Sequence, residues 1–293
     1  MGLRITYMMT AACLCTCDSF YTLFLVLNFT VTLHRTTPGL FTIVLTMSRV
    51  SDTQAGLQGL LNVTADSLAE YCGLTGDQQE NPVFLDRQLG LLQRNPSQSA
   101  INSEFCAKYL PALVDAYNAQ DTAFSVPMRM LNVVAYLPYF ARFLLTTAKT
   151  SICNTQARRM ATASSAPADT TYLVEMCQFL STLLALQGTN SVSEEDKQAL
   201  LPKLREWNRK YQRQQITRCL KQLEGDPETT LIADGLKKHC ERSLNECGFD
   251  GCGKSGTSKL LQCSRCKTAV YCDRDHQKKS WPFHKATCFP AAF

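Results

Sequence analysis

Six of the 15 cysteines and two of the four histidines of this 293-residue chain fall between residues 247 and 288. Their order is Cys247, Cys252, Cys263, Cys266, Cys272, His276, His284, Cys288. Thiolate and imidazole are the side chains zinc prefers, and a tetrahedral site takes four of them. Eight donors in so short a tract suit two zinc ions. Cys263 and Cys266 form a C-x2-C knuckle, whose tight turn points two sulfurs at one ion. Cys272 with His276, and His284 with Cys288, are spaced i, i+4, which places each pair on one face of a short helix. Asp273 can cap the first of these helices, and Pro282 can stand in the first turn of the second. Four protein donors per ion leave no open coordination position for a water nucleophile, so the zinc is structural.

The remaining cysteines are scattered singly, apart from Cys13, Cys15 and Cys17. A secreted disulfide domain distributes its cysteines over its whole core, whereas a metal module concentrates them. The pattern therefore implies a reducing compartment, cytoplasmic or nuclear.

In this order of cysteines and histidines, with Tyr271 before Cys272 and the ending Gln277, Trp281, His284, Cys288, the tract 247–288 resembles a MYND-type zinc finger. The resemblance implies a cross-braced pair of sites. One takes Cys247, Cys252, Cys272 and His276, and the other takes Cys263, Cys266, His284 and Cys288. It further implies a shallow groove at Gln277 and Trp281 that accepts proline-containing peptides, although Trp281 can equally serve as the small core of the module. Two positions depart from the family pattern. Four residues separate Cys247 from Cys252 where two are commoner, with Cys240 as the alternative donor, and His276 stands where the family often has cysteine.

Some proteins with this finger are lysine methyltransferases or iron-dependent hydroxylases. Outside the tract only His34 and His239 remain, too few for a facial triad of two histidines and a carboxylate. No phosphate-binding glycine loop, G-x-S-x-G elbow or H-E-x-x-H is present. The chain reads as a non-enzyme. Its net charge of +5 is too mild to argue for nucleic acid, and Lys278, Lys279 and Lys285 read as a solvated face.

The elements that must carry this module are helical. From Ser51 to Ser243 the apolar residues follow a helical period with no alternating strand run. Asn81-Pro82 opens a helix whose face holds Phe84, Leu85, Leu89, Leu91 and Leu92. Helices follow over Ser103–Tyr117 and over Met128–Leu145, the latter kinked or split by Pro138. Thr171–Leu186 is apolar on several sides and stops at Gly188. Ser193 and Asp196 cap a helix with the stripe Leu200, Leu204, Trp207, Tyr211 and a basic outer face from Lys203 to Arg218. A last helix runs from Pro227 to about Arg242. The stretch 148–170, rich in Ser, Thr and Ala and without apolar period, is expected as a flexible loop. The fold class is mainly α, an irregular helical bundle or an armadillo-like body (51–243), followed by a small cross-braced finger (247–288). The two are expected to fold independently, with a boundary near Cys247.

Residues 1–46 form an apolar extension. Ser19–Leu33 is uncharged but short of the roughly 20 residues that cross a bilayer, and Asp18 interrupts a longer run. Three readings stay open: a dispensable tract before Met47, a membrane anchor, and a cleaved signal. The functional expectation is an adaptor recruiting a protein partner, with a nucleic-acid-associated regulator and an enzyme hidden in the helical body as alternatives.

Overall fold

The structure is a computed structural model that describes residues 29–37, 40–47, 62–75, 79–146, 152–163, 169–256 and 259–293. It divides into two compact units, Met1–Leu61 and Asn62–Phe293. In the first, β1 (Phe29–Thr37) pairs antiparallel with β2 (Leu40–Met47), Phe29 lying opposite Met47. Thr, Val, Ile and Phe, which suit a pleated strand, make up most of both segments. The readings of 1–28 and 48–61 lie outside the described residues.

The second unit is built from helices whose starts are written in local chemistry. Thr64 and Ser67 form a reciprocal capping box at α1 (Ala65–Tyr71). Asn81 Oδ1 accepts from the Phe84 N–H at the start of α2 (Pro82–Leu92), with Pro82 in its first turn. Then come α3 (Gln98–Asn118), α4 (Val126–Val134), capped by Ser125, and α5 (Pro138–Thr146). Pro138 splits the run from Met128 to Leu145, because a proline cannot donate to the preceding turn but begins a new one well. α6 (Ile152–Thr162) is followed by α7 (Thr170–Gln187), which ends at Gly188 with φ 84°. α8 (Glu194–Tyr211), capped by Ser193, then α9 (Gln214–Glu224) and α10 (Pro227–Asn245), capped by Asp226, complete the body.

α7 is the hub, and α4, α6, α9 and α10 surround it. Its Leu173, Met176, Phe179, Leu180 and Leu183 are fully buried. This is an irregular bundle. The stripe Leu200, Leu204 and Trp207 of α8 is buried as its spacing predicts.

One expectation for the body is corrected. Within 148–170 the chain forms α6, not a flexible loop. Ile152, Cys153, Ala157 and Met160 face inward, but so do Gln156 and Arg159, which erases the apolar period. Both side chains find partners: Tyr117 donates to Gln156 Oε1 at 2.9 Å, Gln156 Nε2 donates to the Ala123 carbonyl at 3.0 Å, and the Arg159 guanidinium lies over the Tyr117 ring and donates through Nη2 to the Asn118 and Gln120 carbonyls, its buried Nη1 having no protein acceptor. The segments 147–151 and 164–168 lie outside the described residues. The basic outer face of α8 and α9 is solvated as expected, with Arg205, Arg209, Lys210 and Arg213 exposed, and three of its cations also find partners. Lys203 donates to the Ala161 and Ala163 carbonyls at the end of α6, Arg205 pairs with Glu224, and Arg218 donates to Ser181.

The finger, β3 (Leu261–Gln262), β4 (Val270–Tyr271) and α11 (Arg274–His284), belongs to the same compact unit as the bundle. α10 runs directly into it and packs on α5 and β4. The chain beyond the finger then docks on the body. The Tyr139 hydroxyl accepts from the Phe289 N–H at 2.8 Å and donates toward the Thr287 and Phe289 carbonyls. Ala292 N–H donates to the Ala107 carbonyl at 2.9 Å. Arg142 donates to the Phe293 carbonyl, and the Phe293 ring packs edge-on against Phe143. Body and finger are therefore joined, where the sequence suggests two independent domains. Residues 289–293 carry no ligand and no periodic pattern, so nothing in their composition announces this contact.

Candidate metal centre

The first cluster is assembled from three pieces of chain. Cys247 follows the end of α10, and its N–H donates to the Lys254 carbonyl at 2.9 Å, closing a loop that returns Cys252 to the same point. The Cys252 N–H donates to the Phe249 carbonyl at 3.1 Å, so the four-residue spacer is a turn. Cys272 lies just past β4, and His276 lies in the first turn of α11, which Asp273 caps by accepting from the His276 N–H at 2.8 Å. Cys247 Sγ lies 3.5 Å from His276 Nδ1, and the Cys252 and Cys272 sulfurs are 3.3 Å apart.

The second cluster uses the knuckle. The Cys263 N–H donates to Ala269 and the Lys267 N–H returns to Cys263, with Lys267 at φ 58°. This turn brings Cys266 Sγ to 3.4 Å from His284 Nε2, and Cys263 Sγ to 3.7 Å from Cys288 Sγ. In each cluster the four donor atoms lie within 4.8 Å of one another. The grouping is the one the family resemblance implies. Cys240, the alternative donor, is buried in α10 outside both clusters.

The donor sets fit zinc. Each offers soft or borderline atoms in fours: three sulfurs with one imidazole nitrogen in each cluster. Burial, then the neighbouring Cys266 and Cys263 sulfurs, pushes the Cys288 thiol up to about 12. Several thiolates cannot share so small a space without a cation, and a divalent ion supplies the compensating charge. Backbone donors reinforce the sulfurs. The Thr268 N–H points to Cys266 Sγ and the Cys272 N–H to Cys247 Sγ, both at 3.4 Å.

The local helices differ from the sequence reading. A single helix, α11, carries both His276 and His284, and Pro282 lies inside it near its last turn instead of opening a second one. Cys272 precedes the helix, and Cys288 follows a 3-10 turn at Lys285–Thr287. Pro282 is tolerated so close to the end because it removes only one donor from a ladder that is already finishing.

The ring packing around the ligands was not foreseen. Phe249, from the Cys247–Cys252 spacer, stacks on His276 with ring centres 4.4 Å apart, and the Lys279 ammonium lies over the Phe249 ring, 5.5 Å from its centre. An aromatic residue inside a lengthened spacer is the only hint the sequence offers. Tyr271 is fully buried and meets His284 edge-on. Trp281 is 40% exposed and touches His284 with its edge. It is not the core of the module, a role taken by Tyr271. Gln277 is half-buried one turn before Trp281 on α11.

Residues 247–288 match the family model of the MYND finger. The tract is a MYND finger. Over this segment the chain is 48% identical to the N-lysine methyltransferase SMYD2 of Sus scrofa across 46 residues, 16% of this chain and 10% of that protein. It is 46% identical to Egl nine homolog 1 of Homo sapiens across 48 residues, covering 16% of this chain and 10% of that protein. It is 52% identical to the histone-lysine N-methyltransferase SMYD3 of Homo sapiens across 33 residues, 11% of this chain and 8% of that protein. The chain thus spans about a tenth of the length of these curated relatives, and the likeness is confined to the MYND finger. No solved structure gives a significant match. Both zinc sites of the MYND finger use four protein donors, so the ions hold the fold together.

Proposed function

We propose that this chain is a non-enzymatic adaptor whose MYND finger holds a protein partner through a proline-containing peptide. The observation that carries this reading is Trp281, a large apolar ring left 40% exposed on a helix that two metal sites hold rigid. Tryptophans kept half in water on a rigid scaffold are the residues interfaces anchor on. Gln277, one turn away, offers an amide that can fix the register of a peptide backbone. Leu261 of β3, 41% exposed, adds apolar surface on the hairpin of the same module.

The named activities of the curated relatives belong to proteins of which this chain spans about a tenth. Closed coordination at both ions supports a binding role over catalysis. A cytoplasmic or nuclear setting is part of the proposal. It is supported by Cys72, Cys106, Cys153, Cys177, Cys219 and Cys240, all buried and outside disulfides. Among the described residues no helix is long and apolar enough to cross a membrane.

The test uses a Trp207→Phe variant, which leaves Trp281 as the single indole. Titration with a polyproline peptide should shift its emission and saturate, while an alanine-substituted peptide should not. Trp281→Ala should retain two zinc ions and lose the peptide. Failure to bind the peptide, together with binding of a duplex oligonucleotide whose affinity fell steeply and linearly on a log scale with salt, would instead favour the basic face as a nucleic-acid contact.

A further inference from the structure

The helical body holds a pocket that the finger does not explain. It lies between α2, α4 and α7, has a volume of about 480 Å³, and is lined by Asp86, Gly90, Arg129, Asn132, Glu175 and Gln178 among others. That volume falls in the range of small-ligand sites.

Three observations converge on what it would hold. First, its charges do not balance. Arg129 is held bidentate by Glu175, at 2.7 and 3.1 Å, and also donates to Asp86. One guanidinium faces two carboxylates, which leaves a net negative charge, and Asp86 keeps half its side chain in solvent. Second, Asn132 is 9% exposed, and no protein donor reaches its Oδ1. Buried acceptors are nearly always satisfied, so this one is available to a ligand. Third, Gly90 stands inside α2, where glycine weakens a helix, and an added Cβ there would meet nothing within 4 Å. The missing side chain keeps that wall bare.

We propose that this pocket binds an organic cation with N–H donors, an alkylammonium or guanidinium, either as the lysine or arginine side chain of a partner or as a free amine. The excess carboxylate attracts the charge, and Asn132 Oδ1 accepts a hydrogen bond from it. A metal ion suits the site less well, because both carboxylates are already committed to Arg129, and among the described residues the metal-ligating clusters are the two in the finger.

The experiment follows the side-chain amide signals of Asn132 and Gln178 in the zinc-loaded full chain by NMR, while n-butylammonium, tetramethylammonium, n-butanol or the peptide acetyl-Ala-Lys-Ala-amide is added. Butylammonium and the lysine peptide should give saturable shifts. Tetramethylammonium, which has the charge without the donors, and butanol should bind at least tenfold more weakly. A lysine peptide at least tenfold tighter than butylammonium identifies a protein partner, and equal affinities identify a free amine. Gly90→Leu should fill the pocket and abolish the shifts while the fold stays intact. Asn132→Leu should abolish them and raise the melting temperature, since it removes a buried acceptor that lacks a protein partner. Asp86→Asn, at an exposed position, should weaken butylammonium about fivefold or more. Equal binding of tetramethylammonium, unsaturable shifts, or undiminished binding to a folded Gly90→Leu variant would overturn the proposal.

Discussion

Removing zinc should soften the helical body as well as unfold the finger. Once its ions are gone the MYND finger loses its folding energy, which for structural zinc is on the order of 10 kcal/mol or more. The docked tail goes with it. Four hydrogen bonds are then released: those between Tyr139 and the Thr287–Phe289 backbone (two, counting its shared donation once), Arg142 to Phe293, and Ala292 to Ala107. At about 1 kcal/mol each, together with the partial burial of Phe293 against Phe143, the loss is about 4 to 5 kcal/mol. For a unit of this size each kcal/mol moves the melting temperature by about 2 to 4 °C, so the body should melt about 8 to 20 °C lower without zinc. The assay is a thermal melt of a Trp281→Phe variant, in which Trp207, buried in α8, is the only indole. Scans are taken with two equivalents of zinc and with excess chelator. In zinc-loaded protein Tyr139→Phe should reproduce part of the shift, because it removes the hydroxyl and nothing else. Midpoints within about 2 °C of each other with and without zinc would refute the reasoning and make the body and finger independent.

Metal analysis of purified protein should give two zinc ions per chain, both released by a chelator at neutral pH and in acid, as thiolates and imidazoles take up protons; Cys266→Ser should lower that count. Gly248→Ala should weaken zinc retention and cost about 1 kcal/mol, since the new methyl group would lie 3.1 Å from the Tyr271 ring and crowd the buried centre of the finger. Lys203→Met should destabilise the body by about 1 to 2 kcal/mol in urea titrations, because the Ala161 and Ala163 carbonyls at the end of α6 lose their donor. Asp226, the cap of α10, is held below its ordinary value of 3.8 by the Thr229 hydroxyl and N–H. A depressed carboxylate stabilises the fold above that value and ceases to do so as pH falls through its lowered one. Melts of zinc-stripped protein should therefore show a gap between the native chain and Asp226→Asn that closes in strong acid.

Helix starts were legible because they depend on two or three adjacent residues. Asn81-Pro82, Ser193 with Asp196, and Asp273 are read from the chain as they stand. The eight metal donors were legible for a similar reason, since their residue types are rare and crowded, but which four share an ion came from the family resemblance, and geometry alone did not settle it. What the sequence hid depends on distant partners. α6 looked like a loop because Gln156 and Arg159 face inward, and only Tyr117, Ala123 and Gln120, some 30 to 40 residues away, make that acceptable. Trp281 could not be assigned to core or surface without knowing that Tyr271 fills the centre. The pocket beside Asn132 is drawn from three helices and leaves no periodic trace.

A single helix supplies a histidine to each metal cluster, and this shapes how the MYND finger responds to zinc supply. The first ion to bind orders α11, which brings the other histidine into place and lowers the entropic cost of completing the second site. The second ion then binds more tightly than the first, so species with one ion are scarce. Loading becomes a nearly all-or-none event, and because the tail is docked through Tyr139, the chain converts a graded change in free zinc into a steep change in the rigidity of its helical body.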